Sequence, residues 1–311
     1  MASAMETISK NFYKDLIYVQ VAVYVLQDVN LILFNFNTVL SLFCYKKNQW
    51  RKIMQNMRIV VSAVDKVKIS RAVTVVLILH VFGVAIIFSS ICLRGTVGGV
   101  EYFKQYNVRY FQHYLMLFYS TLLYLVSNLL VLSYKHLNDF LRQSVTGKKI
   151  LLSVNKIESS VYLLKDTIDL FNDIFGWPIL QIISYTIFYT IGQIDKIFIA
   201  NSLQNTYFFR RVVADVISLF LVFMETALPV MMCDLVLQAF ENFLSGAHKL
   251  RRDTHVTSKE KKELSRFIKL VSENAPKFTA ARFFDITRTT LLNVLGTITT
   301  FLIVLIQFRG L

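Results

Sequence analysis

Six long apolar stretches dominate the chain, and each is long enough to cross a lipid bilayer as a helix. A spanning helix needs about 20 mostly apolar residues. No alternation of apolar and polar residues runs through the stretches, which argues against a membrane β-barrel. They therefore predict an all-α transmembrane bundle that forms one membrane domain over residues 1–311. The spans are 17–43, 72–93, 110–133, 177–199, 212–233 and 289–308.

Composition supports a membrane location. Of the 311 residues, 55% are hydrophobic, which is more apolar surface than a soluble domain needs. The N-terminus lacks the features of a secretory signal peptide, so we expect the first span to stay in the mature protein. The net charge is +14, but Lys and Arg lie mainly between the spans. This pattern favours a lipid bilayer over nucleic acid as the partner.

Long and short connectors alternate between the spans, so all the long connectors lie on one side of the membrane. Residues 44–70, 134–176 and 236–287 hold 23 of the 34 Lys and Arg, against 8 in the connectors and termini of the other side. By the positive-inside rule, the long connectors are cytoplasmic. The C-terminus is then extracellular.

The long connectors are predicted to be helical. A heptad-like seam begins at residue 150 and runs directly into the fourth span, which indicates one continuous helix below the membrane. A second seam, over 264–278, precedes the last span, and Thr257 or Ser258 can cap it. We expect these cytoplasmic extensions, 134–176 and 234–288, to pack on each other or on a neighbouring subunit. The alternative is that they lie on the inner leaflet. The first seam comprises Ile150, Val154, Ile157, Val161, Leu164, Ile168, Phe171 and Phe175.

The last span carries a polar stripe. Asn293, Thr297, Thr300 and Gln307 follow one another at steps of four, three and seven residues among Leu, Ile, Val and Phe. This spacing places them on one helical face. Unpaired amides and hydroxyls are costly in hydrocarbon, so the face should meet protein or water. The stripe is therefore a candidate pore lining, although it is also compatible with interhelical hydrogen bonding alone.

The fourth span holds a candidate ligand pocket. Tyr185, Phe188 and Tyr189 lie deep in it, and Gln181 precedes them by one turn. Together they offer an apolar site with a few hydroxyl and amide groups, as a small organic ligand requires. The alternative is that these aromatic rings only pack the core.

Acidic residues inside the spans need partners or water. Asp28 lies in the first span, and Glu225 lies in the fifth, four residues before Pro229. Glu225 is a candidate for the ligand cavity, or else it pairs with Lys or Arg from an adjacent helix. His80, alone on an apolar helix, is more typical of an interhelical hydrogen bond than of a ligand site.

Signatures of catalysis are missing from the sequence. There is no HExxH, GxSxG, phosphate-binding loop or GxGxxG. Cys44, Cys92 and Cys233 show no paired spacing. No histidine outside the spans or in the third span has a cysteine or carboxylate at a spacing that would make a metal site; these are His113, His136, His248 and His255. We therefore expect neither an enzyme nor a cofactor or metal site.

The end of the last span resembles a family signature. Residues 300–308 read Thr-Phe-Leu-Ile-Val-Leu-Ile-Gln-Phe. This is similar to the closing signature of insect gustatory receptors, which is Thr-Tyr, five hydrophobic residues and Gln-Phe. Phe301 replaces the Tyr and keeps the ring. Gly296, the segment 280–285 and the short tail also fit the resemblance, which extends in a looser form over 17–308.

The resemblance implies a seven-helix protein of the plasma membrane of chemosensory neurons. Such receptors form homo- or hetero-tetrameric, non-selective cation channels that small-molecule tastants open, and cytoplasmic helices hold the subunits together. The six spans here match the second to seventh helices of the family, so we expect the first helix to be missing. The related insect odorant receptors are one alternative. A receptor coupled to G proteins is another, but Asp-Arg-Tyr and Asn-Pro-x-x-Tyr are absent after the third and in the last span.

The resemblance also assigns roles to residues of the last helix, which lines the central pore in this family. Gln307 and Phe308 would lie at the extracellular constriction. Val304 would lie one turn further in, and Thr300 further along the ion path. The ligand pocket would open outward among the earlier helices, near the tyrosines of the fourth span.

Overall fold

The computed structural model describes residues 18–146, 150–202, 208–252 and 257–309, and nearly all of them are helical. The fold is an all-α bundle with one small hairpin, which confirms the predicted fold class. A bilayer offers no water to the backbone N–H and C=O groups of an apolar stretch. Such stretches form long helices because a helix pairs these groups within itself. The elements are α1 (Tyr18–Leu40), a π-helix (Ser41–Tyr45), α2 (Lys47–Ser62), α3 (Lys66–Thr146), α4 (Ile150–Ser202), α5 (Phe208–Arg252), α6 (Ser258–Glu273), β1 (Thr279–Ala280), β2 (Phe284–Asp285) and α7 (Arg288–Arg309).

Five helical segments are long and apolar enough to cross a membrane. α7 adds a shorter apolar stretch, Arg288–Val304, so its membrane crossing remains a prediction. Ile17, where the first span was predicted to begin, lies outside the described residues. The five segments are Val21–Leu40, Lys66–Thr96, Asn107–Gln143, Val154–Ile197 and Phe209–Arg252.

A single glycine divides α3 into two halves, residues 66–98 and 100–146. Gly99 has φ 64° and ψ −160°, a conformation that is accessible mainly to glycine. The backbone is helical on both sides of it. The short connector expected between the second and third predicted spans is therefore a break of one residue between two helices, because one glycine is enough to redirect the chain.

The seam predicted in α4 forms the centre of the core. Ile157, Ile168, Phe171 and Phe175 have no exposed surface, and Leu164 is 1% exposed. α4 contacts α1, α2, α3, α5, α6 and α7, and the most extensive contact in the bundle is that of α3 with α5. Burial of each such side chain contributes about 1.5–3 kcal/mol. The seam thus holds several helices around one helix.

The second seam is buried as well. Leu264, Phe267 and Val271 of α6 are fully buried and α6 contacts α4 and α5, so its apolar face packs on the bundle. Thr257 is the N-cap, and it forms a reciprocal capping box with Glu260. Hydrogen bonds from the hydroxyl and the backbone N–H of Thr257 lower the pKa of Glu260 below its usual value.

The hairpin between α6 and α7 is fixed to α4 by one asparagine. Asn172 donates from Nδ2 to the carbonyl of Lys277 at 2.6 Å, and its Oδ1 accepts from the backbone N–H of Thr279 at 2.9 Å. Arg282 adds an ion pair with Asp173 at 3.2 Å. Two residues separate β2 from α7, so the contacts of Asn172 also position the start of the last helix.

Gly176 provides the close approach between α4 and this hairpin. A Cβ at this position would lie 2.9 Å from the backbone nitrogen of Ala281 and 3.2 Å from the carbonyl oxygen of Thr279. Ala281 and Arg282 have φ of 50° and 65°. Positive φ is costly for such residues. The hairpin therefore cannot easily shift to make room for a side chain.

We expect Gly176→Ala to lower the free energy of unfolding by about 1–3 kcal/mol, because the added methyl group would overlap backbone atoms. The measurement is thermal or denaturant unfolding of the purified protein in lipid nanodiscs. Gly296→Ala is the control, since nothing lies within 4 Å of a Cβ at that position. Equal stability of the two variants would contradict the assigned contact.

Candidate pore helix and ligand site

One face of α7 packs on the rest of the chain. Thr290, Val294 and Ile298 recur every four residues and are 3–6% exposed. This face contacts α4 and α5. A step of four residues keeps side chains on one side of a helix. The packed face therefore fixes the rotation of α7 and decides which residues point away from the bundle.

The predicted polar stripe lies on a second face. Asn293, Thr300 and Gln307 are exposed, and Thr297 and Val304 are half-buried. At about 100° per residue, this stripe is centred roughly 100° from Val294 around the helix. Phe308 belongs to α7, but its side chain lies outside the described part of the structure. We call the face of Asn293, Thr297, Thr300, Val304 and Gln307 the polar edge of α7.

The threonines of the polar edge satisfy their own donors. Thr297 donates to the carbonyl of Asn293 at 2.8 Å, and Thr300 donates to the carbonyl of Gly296 at 2.9 Å. Each hydroxyl oxygen can still accept a hydrogen bond or contact a cation. The edge thus offers oxygen atoms rather than fixed charges.

The third face of α7 is exposed and mainly apolar, and its one threonine, Thr299, donates its hydroxyl to the carbonyl of Leu295 at 2.9 Å. This face lies roughly 120° from the polar edge at about 100° per residue. Exposed apolar side chains suit lipid, whereas a row of amides and hydroxyls needs water or a protein partner. The two exposed faces of α7 therefore suit different surroundings. The apolar face comprises Leu292, Leu295, Ile303 and Ile306, each 45–67% exposed.

The tyrosines of the predicted ligand pocket form a packed cluster with a histidine. The hydroxyl of Tyr185 and Nε2 of His113 lie 2.9 Å apart and share a hydrogen bond. The rings of Tyr185 and Tyr189 stack at 5.4 Å, and His113 meets each ring edge-on at 5.5 Å. All three side chains are buried. His113 is 72 positions from Tyr185, so spacing alone does not reveal this pair.

Two further residues of the predicted pocket, Gln181 and Phe188, belong to the same helix as the tyrosines. Gln181 is 8% exposed, and its Oε1 accepts from Nδ2 of Asn37 at a long 3.5 Å. The carbonyl of Gln181 accepts from Asn30 at 3.0 Å, which ties α4 to α1. Phe188 is half-buried. These contacts are those of a helix interface that carries a few polar groups.

Arginines neutralise two of the acids within the bundle. Arg109 contacts Asp28 at 2.9 Å, and Arg94 contacts Asp215 at 2.6 Å. Arg94 also donates to Ser218 at 3.1 Å. Both arginines come from α3 on either side of Gly99. The expectation that Asp28 would have a partner is therefore correct.

Glu225 differs from these acids. It is 2% exposed, and within the described chain neither carboxylate oxygen has a hydrogen-bond partner. It lines a cavity of about 50 Å³ between the two halves of α3 and α5, together with Ser120, Thr121 and Tyr124. The expected pairing with Lys or Arg is not found there. The tyrosine cluster does not line this cavity, so the structure divides the predicted pocket in two.

Comparisons with known proteins agree with this architecture. A family model described as 7tm chemosensory receptor matches residues 4–309. The structure is similar to that of the insect olfactory receptor OR5 from Machilis hrabei, with a TM-score of 0.53 and 12% sequence identity. The likeness covers 96% of this chain and 92% of that chain, and at this identity it concerns the fold. No curated protein matches the sequence significantly.

The fold is that of a multi-pass helical membrane protein whose last helix has an exposed polar edge. Because the family model covers nearly the whole sequence, the chain belongs to the 7tm chemosensory receptor family, which includes the insect gustatory and odorant receptors.

The shared hydrogen bond of the tyrosine cluster can be tested by removing one hydroxyl. Tyr185→Phe would leave buried Nε2 of His113 without this partner, so we expect the free energy of unfolding to fall by about 1–3 kcal/mol. Tyr162→Phe in the same helix is the control, because Tyr162 is 51% exposed. Chemical denaturation in nanodiscs measures both variants. Similar free energies of unfolding for the two variants would show that the hydrogen bond between Tyr185 and His113 adds no stability.

Proposed function

We propose that this chain is a subunit of a tastant-gated, non-selective cation channel of the gustatory type. Four copies of α7 would surround the ion path, with their polar edges inward and their apolar faces toward lipid or neighbouring helices. The exposed polar edge of an otherwise apolar terminal helix is the observation that carries the proposal. The assembly is a homotetramer or a tetramer with other gustatory receptors, in the plasma membrane of chemosensory neurons.

The side chains of the polar edge suit weak selectivity among cations. Four copies of the Gln307 amide can replace part of the hydration of an ion without a fixed charge. Thr300 would continue the path with hydroxyl oxygens. Val304 and Phe308 would provide an apolar constriction that closes by expelling water. A ligand opens such a pore by binding its open arrangement more tightly than the closed one.

The gustatory assignment rests on the ending of α7. Residues 300–308 keep the Thr, the aromatic ring and the Gln-Phe pair of the gustatory signature. The odorant receptor subtype is the second candidate, and it is supported by the similarity of the fold to an insect olfactory receptor. Ligand-evoked current that survives blockade of G-protein signalling would exclude the third reading, a receptor coupled to G proteins.

The proposed ligand site lies among α1, α3 and α4, around the tyrosine cluster. Gln181, Tyr185 and Tyr189 supply amide and hydroxyl groups within an apolar surrounding, and Phe188 adds a half-buried ring. These features suit a small, largely apolar organic ligand.

The pore assignment predicts a selective effect of Gln307→Ala. We expect the permeability ratio of small to large monovalent cations to change severalfold while surface expression is unaffected, because only a pore-facing amide is removed. Reversal potentials in voltage-clamped cells measure the ratio. Ile306→Ala is the matched control, since Ile306 is the preceding residue but lies on the apolar face. Unchanged ratios in Gln307→Ala, or equal changes in both variants, would refute the assignment.

The proposed topology predicts the location of the C-terminus. With the long connectors in the cytoplasm, an epitope tag after Leu311 would bind antibody on intact cells, because α7 ends outside. A tag inserted into 253–256 should bind only after permeabilisation. If only the tag in 253–256 bound antibody on intact cells, the topology would be the reverse of the one proposed.

A further inference from the structure

We propose that the cavity beside Glu225 is a binding site for a short-chain alkyl amine, which is held as its ammonium ion against the Glu225 carboxylate. This inference goes beyond the ligand site proposed around the tyrosine cluster, because it assigns a separate cavity and the ligand class that fits it. Only its link to channel opening rests on the proposed function. The site itself is argued from burial, cavity shape and unsatisfied polar atoms.

The first argument is the unmatched carboxylate. Glu225 is 2% exposed, and neither of its oxygens has a hydrogen-bond partner in the parts of the chain that the structure describes. Burial of an ionised carboxylate without a partner is strongly unfavourable. Asp28 and Asp215 avoid this cost through arginines at 2.9 and 2.6 Å. No Lys, Arg or His is among the described residues that line the Glu225 cavity.

The second argument is the match between unsatisfied acceptors and an ammonium group. The Oγ of Ser120 is also buried without a hydrogen-bond partner, and Ser120 lines the same cavity. Two carboxylate oxygens and one hydroxyl oxygen give three acceptors for the three N–H donors of a primary ammonium. A charge-assisted hydrogen bond to each would relieve the desolvation of the carboxylate.

The third argument is the apolar remainder of the cavity. Leu117, Leu221, Met224 and Leu228 contribute hydrocarbon walls, which suit an alkyl group. Hard metal cations take about six or more oxygen ligands. The lining has fewer side-chain oxygens than this, so it favours an amine. A volume of about 50 Å³ admits only a few heavy atoms, as in methylamine or ethylamine.

The route into the cavity is through its outer wall. Phe82 and Phe220 line the cavity and are 56% and 50% exposed on the surface predicted to face lipid. A neutral amine dissolves in the bilayer and can enter from that side. Glu225 is then the neutral acid until the amine arrives. On binding, the carboxyl O–H bond breaks and an N–H bond forms on the amine, which leaves an ammonium carboxylate pair and needs no further reactant.

The test uses infrared difference spectroscopy of the full chain in nanodiscs with methylamine. In the wild-type protein we expect the carbonyl band of a buried carboxylic acid to disappear and carboxylate bands to appear as the site fills. Glu225→Gln should lose this response. Glu241→Gln, in the same helix, should retain it, because Glu241 is exposed. Ser120→Ala should raise the half-saturating methylamine concentration about tenfold through loss of one hydrogen bond.

A thermal measurement supplements the spectra. Methylamine should raise the unfolding midpoint of the wild-type protein, whereas N-methyl-D-glucamine at the same concentration and pH should not, because it exceeds the cavity. An acid band that persists at saturating methylamine, an unaltered response in Glu225→Gln, or equal stabilisation by the larger amine would overturn the site. Both readouts work without ion current. Binding without current would therefore count against the proposed channel function and not against the site.

Discussion

The exclusion of water from a membrane-spanning bundle is the constraint on which this structure depends. Polar groups inside such a bundle need partners from the protein itself. Asp215 meets Arg94, Tyr185 meets His113, and Asn172 holds the backbone of the hairpin. The polar edge of α7 and the Glu225 cavity are among the features of the described structure that depart from this pattern. They are the places where ions and a ligand would supply the missing contacts.

Local spacing predicted much of the fold, because a helix brings residues three and four positions apart onto one face. This is why the seams of α4 and α6 and the cap at Thr257 could be read from the sequence and are found in the structure. The hairpin could not be predicted in this way. Its position depends on Asn172, which is 107 positions before Thr279, and on the missing side chain of Gly176.

The candidate sites were predictable to different degrees for the same reason. The polar edge lies within one helix, so its spacing sufficed to place Asn293, Thr300 and Gln307 together. The predicted ligand pocket combined residues of two helices, and the relative rotation of α4 and α5 is set by packing over the whole bundle. This rotation places Glu225 in a cavity against α3, and the described lining of this cavity does not include His113, Tyr185 or Tyr189.

The hairpin on α4 gives the molecule a short mechanical linkage. Only Ile286 and Thr287 lie between β2 and α7, and Arg288 is held by an ion pair with Asp234 of α5. The connection is too short to extend much when α4 or the hairpin moves. A tilt of α4 on its neighbours would therefore also displace the start of α7, since the hairpin joins the two helices.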